Sequence, residues 1–137
     1  MAEQDTLVAE ILTPEGPVFE DEVEQLSTRT VVGELGVLAN HAPLMARLVP
    51  SELRLHLGGN EVRRWAQAEG WLEVFANRAT VLIGEAIPPD RLDAAALRQR
   101  LENGEQRLAE AEEGTAAHQR AEQDRARAKA FLDVAEG

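Results

Sequence analysis

The sequence predicts a β-sandwich or barrel over residues 1–87 and a helical hairpin over residues 88–137, on three observations. Up to about Ala86 the apolar residues fall in short runs and alternations separated by Gly, Pro or Asn. Pro88-Pro89 then interrupts the chain, because proline neither donates to a strand ladder nor continues a helix through its position. Beyond it, residues 90–137 contain no proline and are dominated by the helix formers Ala, Leu, Glu, Arg and Gln.

In chain order, strand candidates run from Leu7 to Leu12, Val23 to Thr28 and Leu35 to Leu38. Leu53, Leu55 and Leu57 then alternate with Glu52, Arg54 and His56, the two-residue period of a strand with one buried face. Gly58-Gly59-Asn60 supplies a turn that tolerates positive φ, and a second run holding Val62 and Trp65 completes a hairpin. Trp71 to Phe75 and Thr80 to Ile83 follow, with Trp65 and Trp71 read as core. Many short strands at this spacing predict a sandwich or barrel. The acidic run Glu20-Asp21-Glu22-Glu24 lacks the glycine and ligand register of a calcium loop, and reads as a charged strand edge that deters sheet-to-sheet association.

In the second half, Leu97, Leu101, Leu108 and Ala111 are spaced by 4, 7 and 3, which places them on one helical face. Glu113-Gly114-Thr115 closes that helix with a glycine and opens another with a threonine cap. Ala117, Ala121, Ala128 and Leu132 repeat the pattern at 4, 7 and 4. Because this stripe is mostly alanine it buries little apolar area, and Gly104 costs the first helix about 1 kcal/mol relative to alanine. The expectation is a weakly held hairpin that can pack in two places.

Composition removes several function classes. Lys plus Arg number 14 against 25 Asp plus Glu, a formal charge of −11 that repels phosphate backbones, so nucleic acid is not an expected partner. No run approaches the roughly 20 apolar residues of a spanning helix, and the acidic start Met1-Ala2-Glu3-Gln4-Asp5 reads as neither secretory signal nor transit peptide. A soluble cytoplasmic chain without direct membrane insertion is expected. Zero cysteines exclude disulfides and thiolate metal sites. The histidines His41, His56 and His118 share no ligand spacing, so no metal site is expected. The chain carries no glycine-rich phosphate loop, nucleophile elbow or HExxH helix, and no catalytic residue is assigned.

The run Gly33-Glu34-Leu35-Gly36-Val37-Leu38-Ala39-Asn40-His41-Ala42-Pro43-Leu44 resembles a signature of the epsilon subunit of F-type ATP synthases. Leu12 to Phe19 looks like that family's first hairpin, Gly70 to Val74 like its glycine-aromatic strand and Ala79 to Leu82 like its last strand. Leu92-Asp93 opens a helix where its C-terminal domain begins, so the resemblance spans essentially the whole chain. It implies a ten-stranded β-sandwich followed by an antiparallel two-helix hairpin, without enzymatic activity.

By the same resemblance, the partners are the gamma subunit, the ring of c subunits and, through the hairpin, the alpha and beta catalytic subunits. The location implied is peripheral, on the cytoplasmic face of the inner (plasma) membrane. The function implied is a rotor subunit that couples proton transport through the ring to ATP synthesis and whose helices inhibit ATP hydrolysis. Ring-facing contacts are carried onto Thr28, Arg29, Thr30 and Val32 and onto Asn40, His41 and Pro43, with Arg29 the nearby cation for acidic or carbonyl groups. Contacts with the catalytic subunits are carried onto Arg120, Arg125, Arg127 and Lys129, where the second helix concentrates its positive charge.

No resident cofactor is implied. Some family members sense ATP through an Ile/Leu-Asp-x-x-Arg-Ala pattern; here Asp93 matches but Ala96 stands where the arginine belongs. Arg100, four residues further and rotated by about 40°, is the residue left to take its place. Ser27, Ala39 and Ser51 also replace residues that are commonly proline or glycine in the family. The competing reading is a free-standing sandwich that binds a small ligand; it leaves the appended hairpin unexplained.

Overall fold

The computed structural model describes residues 5–137. Ten strands come first: β1 Leu7–Thr13, β2 Gly16–Val23, β3 Gln25–Thr30, β4 Gly33–Leu38, β5 Leu44–Leu48, β6 Ser51–Gly58, β7 Glu61–Gln67, β8 Gly70–Phe75, β9 Arg78–Ile83 and β10 Ala86–Ile87. They form one sheet in the order β10-β7-β6-β3-β5-β8-β9-β1-β2, with β4 paired to β3. Strand β3 is the corner. Its Gln25–Ser27 segment pairs with β6, while Thr30 pairs with Leu48 of β5. The sheet thus folds into two layers, whose inward residues, among them Leu7, Ile11, Leu26, Leu53, Trp65, Leu72 and Val81, meet in one core.

The 53–65 hairpin forms as its alternation requires, with Gly58 and Gly59 at φ of 133° and 59°. Other strands depart from the reading. The run from Val23 to Thr28 is divided, because Val23 ends β2 and β3 starts at Gln25. Strands β2 and β5 fall outside the alternation pattern for opposite reasons. Only Val23 is fully buried in the acidic β2, while Leu44-Met45-Ala46-Arg47-Leu48 is apolar at four of five positions and shows no period. Trp71 is not core: it is 47% exposed, on the outward side of β8 with Glu73 and Phe75, opposite buried Leu72 and Val74. Its phase against Glu73 already placed it there.

Pro89–Arg91 make a short 3-10 turn before α1, Ala94–Glu110, and α2, Ala116–Glu136. Asp93 caps α1, accepting from the Ala96 amide at 3.1 Å, and Thr115 caps α2 by accepting from the His118 amide at 3.2 Å. Arg98–Glu136 and Arg107–Asp124 ion pairs span the two helices in their antiparallel register. Gly104 has a packing role that its propensity hides. A Cβ there would lie 3.2 Å from the Arg125 Cα and amide nitrogen, so glycine lets the two backbones approach.

The alanine stripe holds at three of its four positions. Ala121, Ala128 and Leu132 are buried, but Ala117 is exposed beside the turn that connects the two helices. Phe131 and Val134 join the buried set because this end of α2 has two neighbours: α1 on one side and Ala66 and Ala68 of the sandwich on another.

A candidate interaction surface

The two outer faces of the sandwich have different fates. One, at β6 and β7, lies under α2, where Ala66, Ala68, Ile87, Leu97, Phe131 and Leu132 form a second apolar cluster. Arg127 secures its edge, donating to Glu69 at 2.6 Å and to Glu85 at 3.0 Å. Burial works against the Arg127 charge, but the hydrogen bonds and charges of Glu69 and then Glu85 outweigh it and hold its pKa above the ordinary arginine value.

The opposite face is bare of any other described element. Register sets Arg47, Trp71, Leu82 and Leu12 in one row across β5, β8, β9 and β1, and Met45 beside Glu73 in the next. Met45, Trp71, Phe75 and Leu82 are 67%, 47%, 64% and 46% exposed. Large apolar side chains grouped in this way on a sheet face mark an interaction site more often than chance exposure does. Arg78 lies at the margin, paired to Glu10 and Glu20; the hydrogen bonds to Glu20 and then Glu10 raise its pKa.

The residues expected to face a ring separate into two groups. Arg29 and Val32 lie exposed beside the β3–β4 turn, Val32 at 93%, whereas Asn40, His41 and Pro43 lie in the β4–β5 loop. Those segments flank the six-residue β4, so they stand about 20 Å apart at opposite ends of the bare face. Thr28 and Thr30 are corrected outright as contact residues, being 3% and 5% exposed. The Thr28 hydroxyl donates to Gln67 Oε1 at 2.8 Å, and Thr30 Oγ1 donates to the Gly33 carbonyl while accepting from the Val32 amide. Thr30 thus builds the turn from within, and Thr28 ties β3 to β7.

The second loop is tied from beneath. Asn40 has φ of 64°, and its amide donates to Asn77 Oδ1 at 2.7 Å; Asn77 Nδ2 in turn donates to the Thr6 carbonyl. His41 Nδ1 lies 2.7 Å from the Ala42 carbonyl. Asn77 is a supporting residue that the sequence pattern did not single out; its place in the Ala76-Asn77 turn, with both residues at positive φ, was the available signal.

The four cations of α2 also divide. Arg127 is directed at the sandwich, not outward, and Arg125 lies 3.8 Å from Glu105 of α1. Among the described residues Arg120 and Lys129 form no ion pair. Asp93 is engaged as a helix cap, and Arg100 lies exposed seven residues on, about 10 Å along the axis. No group of His, Asp or Glu among the described residues is arranged to hold a metal ion, and no described helix is long and apolar enough to cross a membrane.

A sandwich that covers one face with its own helices and leaves an apolar face between two exposed loops presents a surface suited to docking. Residues 6–89 match the model of the ATP synthase delta/epsilon chain β-sandwich domain. The chain is 38% identical over 130 residues to the ATP synthase epsilon chain of Halalkalibacterium halodurans, covering 95% of this chain and 97% of that one. It is 36% identical over 103 residues to the epsilon chain of Persephonella marina, with 75% and 76% covered. The chain belongs to the epsilon-chain family of ATP synthases, whose members are non-catalytic subunits.

Among solved structures, the fold resembles a chain in the Euglena gracilis mitochondrial ATP synthase assembly of OSCP, F1 and c-ring, with a TM-score of 0.84 at 20% identity over 100% of this chain and 85% of that one. A chain of the Tetrahymena thermophila central stalk and c-ring gives a TM-score of 0.62 at 15% identity, with 98% and 99% covered.

Proposed function

We propose that this chain is a rotor subunit of the central stalk, coupling proton passage through a ring of c subunits to ATP synthesis and restraining ATP hydrolysis through its helices. The observation that carries the reading is the bare face of Met45, Trp71, Phe75 and Leu82, lying opposite the face that the hairpin covers. The gamma subunit docks on this face, and the Asn40–Pro43 loop forms its margin. At the other end the protruding turn meets polar loops of the ring, Val32 through packing and Arg29 through charge-assisted hydrogen bonds. A hydrogen-bonded sandwich resists torque, which suits coupling.

The hairpin suits restraint for a different reason. Its seat on the sandwich is small and its ionic clasp half-exposed, so a modest free energy releases it. Once released, Arg120, Arg127 and Lys129 are available to acidic segments of the alpha and beta subunits. In this reading the chain sits peripherally, at the cytoplasmic face of the membrane. Nucleotide sensing through Asp93 and Arg100 would draw on the Asp93 carboxylate oxygen that the cap leaves unused, with the helix start intact.

Affinity capture of the tagged chain from its native membranes tests the assignment. Stoichiometric recovery of gamma, c-ring and catalytic subunits is expected; recovery of none of them would sink it.

A further inference from the structure

Strand β10 pairs with β7 only through Ala86–Gln67 and Ile87–Ala66, and the chain turns away at Pro88. Among the described residues, the rest of that β7 edge, Glu61 to Trp65, has no strand partner, and neither has the outer edge of β2. Side chains bridge this seam: Phe19 of β2 meets Trp65 of β7 edge to face at 5.7 Å, and the Arg63 guanidinium lies 5.7 Å above the Phe19 ring. Beside them is an open depression of about 550 Å³, lined by Pro17, Val18, Arg63, Arg64, Trp65 and Arg91 among others.

Two properties narrow what fits there. First, its lining brings together Arg63, Arg64 and Arg91 against the single carboxylate of Glu15, in a chain of net charge −11. Arg64 is held by Glu52 and Arg63 has Glu61 at 3.8 Å, but Arg91 has no ion pair among the described residues. Second, the depression runs along exposed backbone donors. The Ala68 amide bonds to Glu85 and Ala66 pairs with Ile87, so strand alternation turns the next amides on that edge, those of Arg64 and Val62, the same way, beyond the end of β10. On the β2 side Pro17 interrupts the row of amides, whereas Glu61–Trp65 holds no proline, so β7 is the edge better suited to extension.

We propose that this seam binds an extended acidic polypeptide segment of a partner, which adds as a strand beside Glu61–Trp65 and places the carboxylates of one of its faces against Arg63 and Arg91. Backbone pairing provides the affinity and the arginines select an acidic sequence. This surface is distinct from the bare apolar face, and the proposal does not depend on the rotor assignment.

The test uses the full chain, with an alternating Glu-Val decapeptide as probe and the matching Lys-Val decapeptide as control, followed by calorimetry and amide hydrogen exchange. Saturable binding of the acidic peptide is expected, together with slowed exchange at Val62 and Arg64. Affinity should fall about tenfold or more in the Arg63→Glu/Arg91→Glu double variant, whose exposed positions leave the fold intact. Four outcomes would overturn the proposal: no binding; binding without protection of those amides, which marks simple ion pairing; equal binding by the double variant; or pyrophosphate binding as tightly as the peptide, which marks a small-anion site.

Discussion

Arg127 of α2 donates to Glu69 at 2.6 Å across the boundary between hairpin and sandwich, and the same guanidinium reaches Glu85 at 3.0 Å. These two acceptors lie in the loops on either side of the β8–β9 hairpin, so one side chain ties the helix to two turns. The side chains are 27%, 33% and 39% exposed, and solvent screening holds the contribution to about 1–2 kcal/mol. Arg127→Gln should therefore loosen the hairpin while leaving the sandwich unaffected. Faster exchange of α2 amides, with β8 and β9 amides unchanged, is the expected result.

The pH dependence of that clasp follows from the direction of the Arg127 shift. A raised pKa gives stability that is fully present below the unfolded value and lost only as pH climbs through the folded one. Both lie above the neutral range, so the arginine side of the clasp is constant from about pH 7 to 10. Hairpin protection measured by hydrogen exchange, after correction for intrinsic rates, should be flat over that interval; a decline that Arg127→Gln abolishes would contradict this.

Thr28 offers a stability test with a clear physical term. It is the donor to Gln67 Oε1, and Gln67 is fully buried, with its amide donating to the Val49 carbonyl and Ser51 Oγ. Thr28→Val keeps the shape but strands a buried acceptor, at a cost of about 1–3 kcal/mol. Urea unfolding should register the loss while capture of partner subunits is unchanged, as befits a residue that acts inside the sandwich.

Much of this was legible in the sequence where one face of an element is buried and the other wet. The alternation at 53–57, the glycine turn at 58–59 and the Pro88-Pro89 break each express a local rule, and each appears where that rule places it. What stayed hidden was set by neighbours distant in the chain. Thr28 reads as a polar residue near a turn, and nothing local shows that Gln67, 39 residues on, closes over it. Arg127 likewise reads as one of four basic helix residues until Glu69 and Glu85 come beneath it. For the exposed loops the difficulty was geometric: 28–32 and 40–43 are near in sequence, yet β4 holds them at opposite ends of one face.

Gly104 separates propensity from packing. Glycine to alanine in an exposed helix should gain about 1 kcal/mol. Here the added methyl meets the Arg125 backbone at 3.2 Å, so the helices must part. Gly104→Ala should show no net gain, and Gly104→Leu should destabilise the hairpin by about 2 kcal/mol or more. Thermal melts followed by helical circular dichroism would reveal a full alanine gain if the close approach were unimportant.

The bare face can be disabled without touching the core. Trp71 and Leu82 face each other across β8 and β9, both outward, so Trp71→Ser with Leu82→Asp removes apolar surface and adds a charge in solvent. Surface changes of this kind alter stability by about 0.5 kcal/mol each. Retained folding by circular dichroism with loss of gamma capture is the expected pair of results. Undiminished capture would move the docking face elsewhere.

Removal of the helices after Pro89 tests restraint apart from docking. The cut falls beyond the last strand, and the surface it uncovers on the sandwich is chiefly Ala66, Ala68 and Ile87, small enough to leave the ten strands folded. The bare face and both of its flanking loops lie wholly in the remaining part, so gamma and ring binding should persist. ATP hydrolysis by the assembled complex should rise, because the element proposed to reach the catalytic subunits is gone. Unchanged hydrolysis in a truncated complex that still assembles would assign the hairpin a structural role and leave the coupling assignment intact. Loss of assembly would instead mean that the helices contribute to the rotor contact.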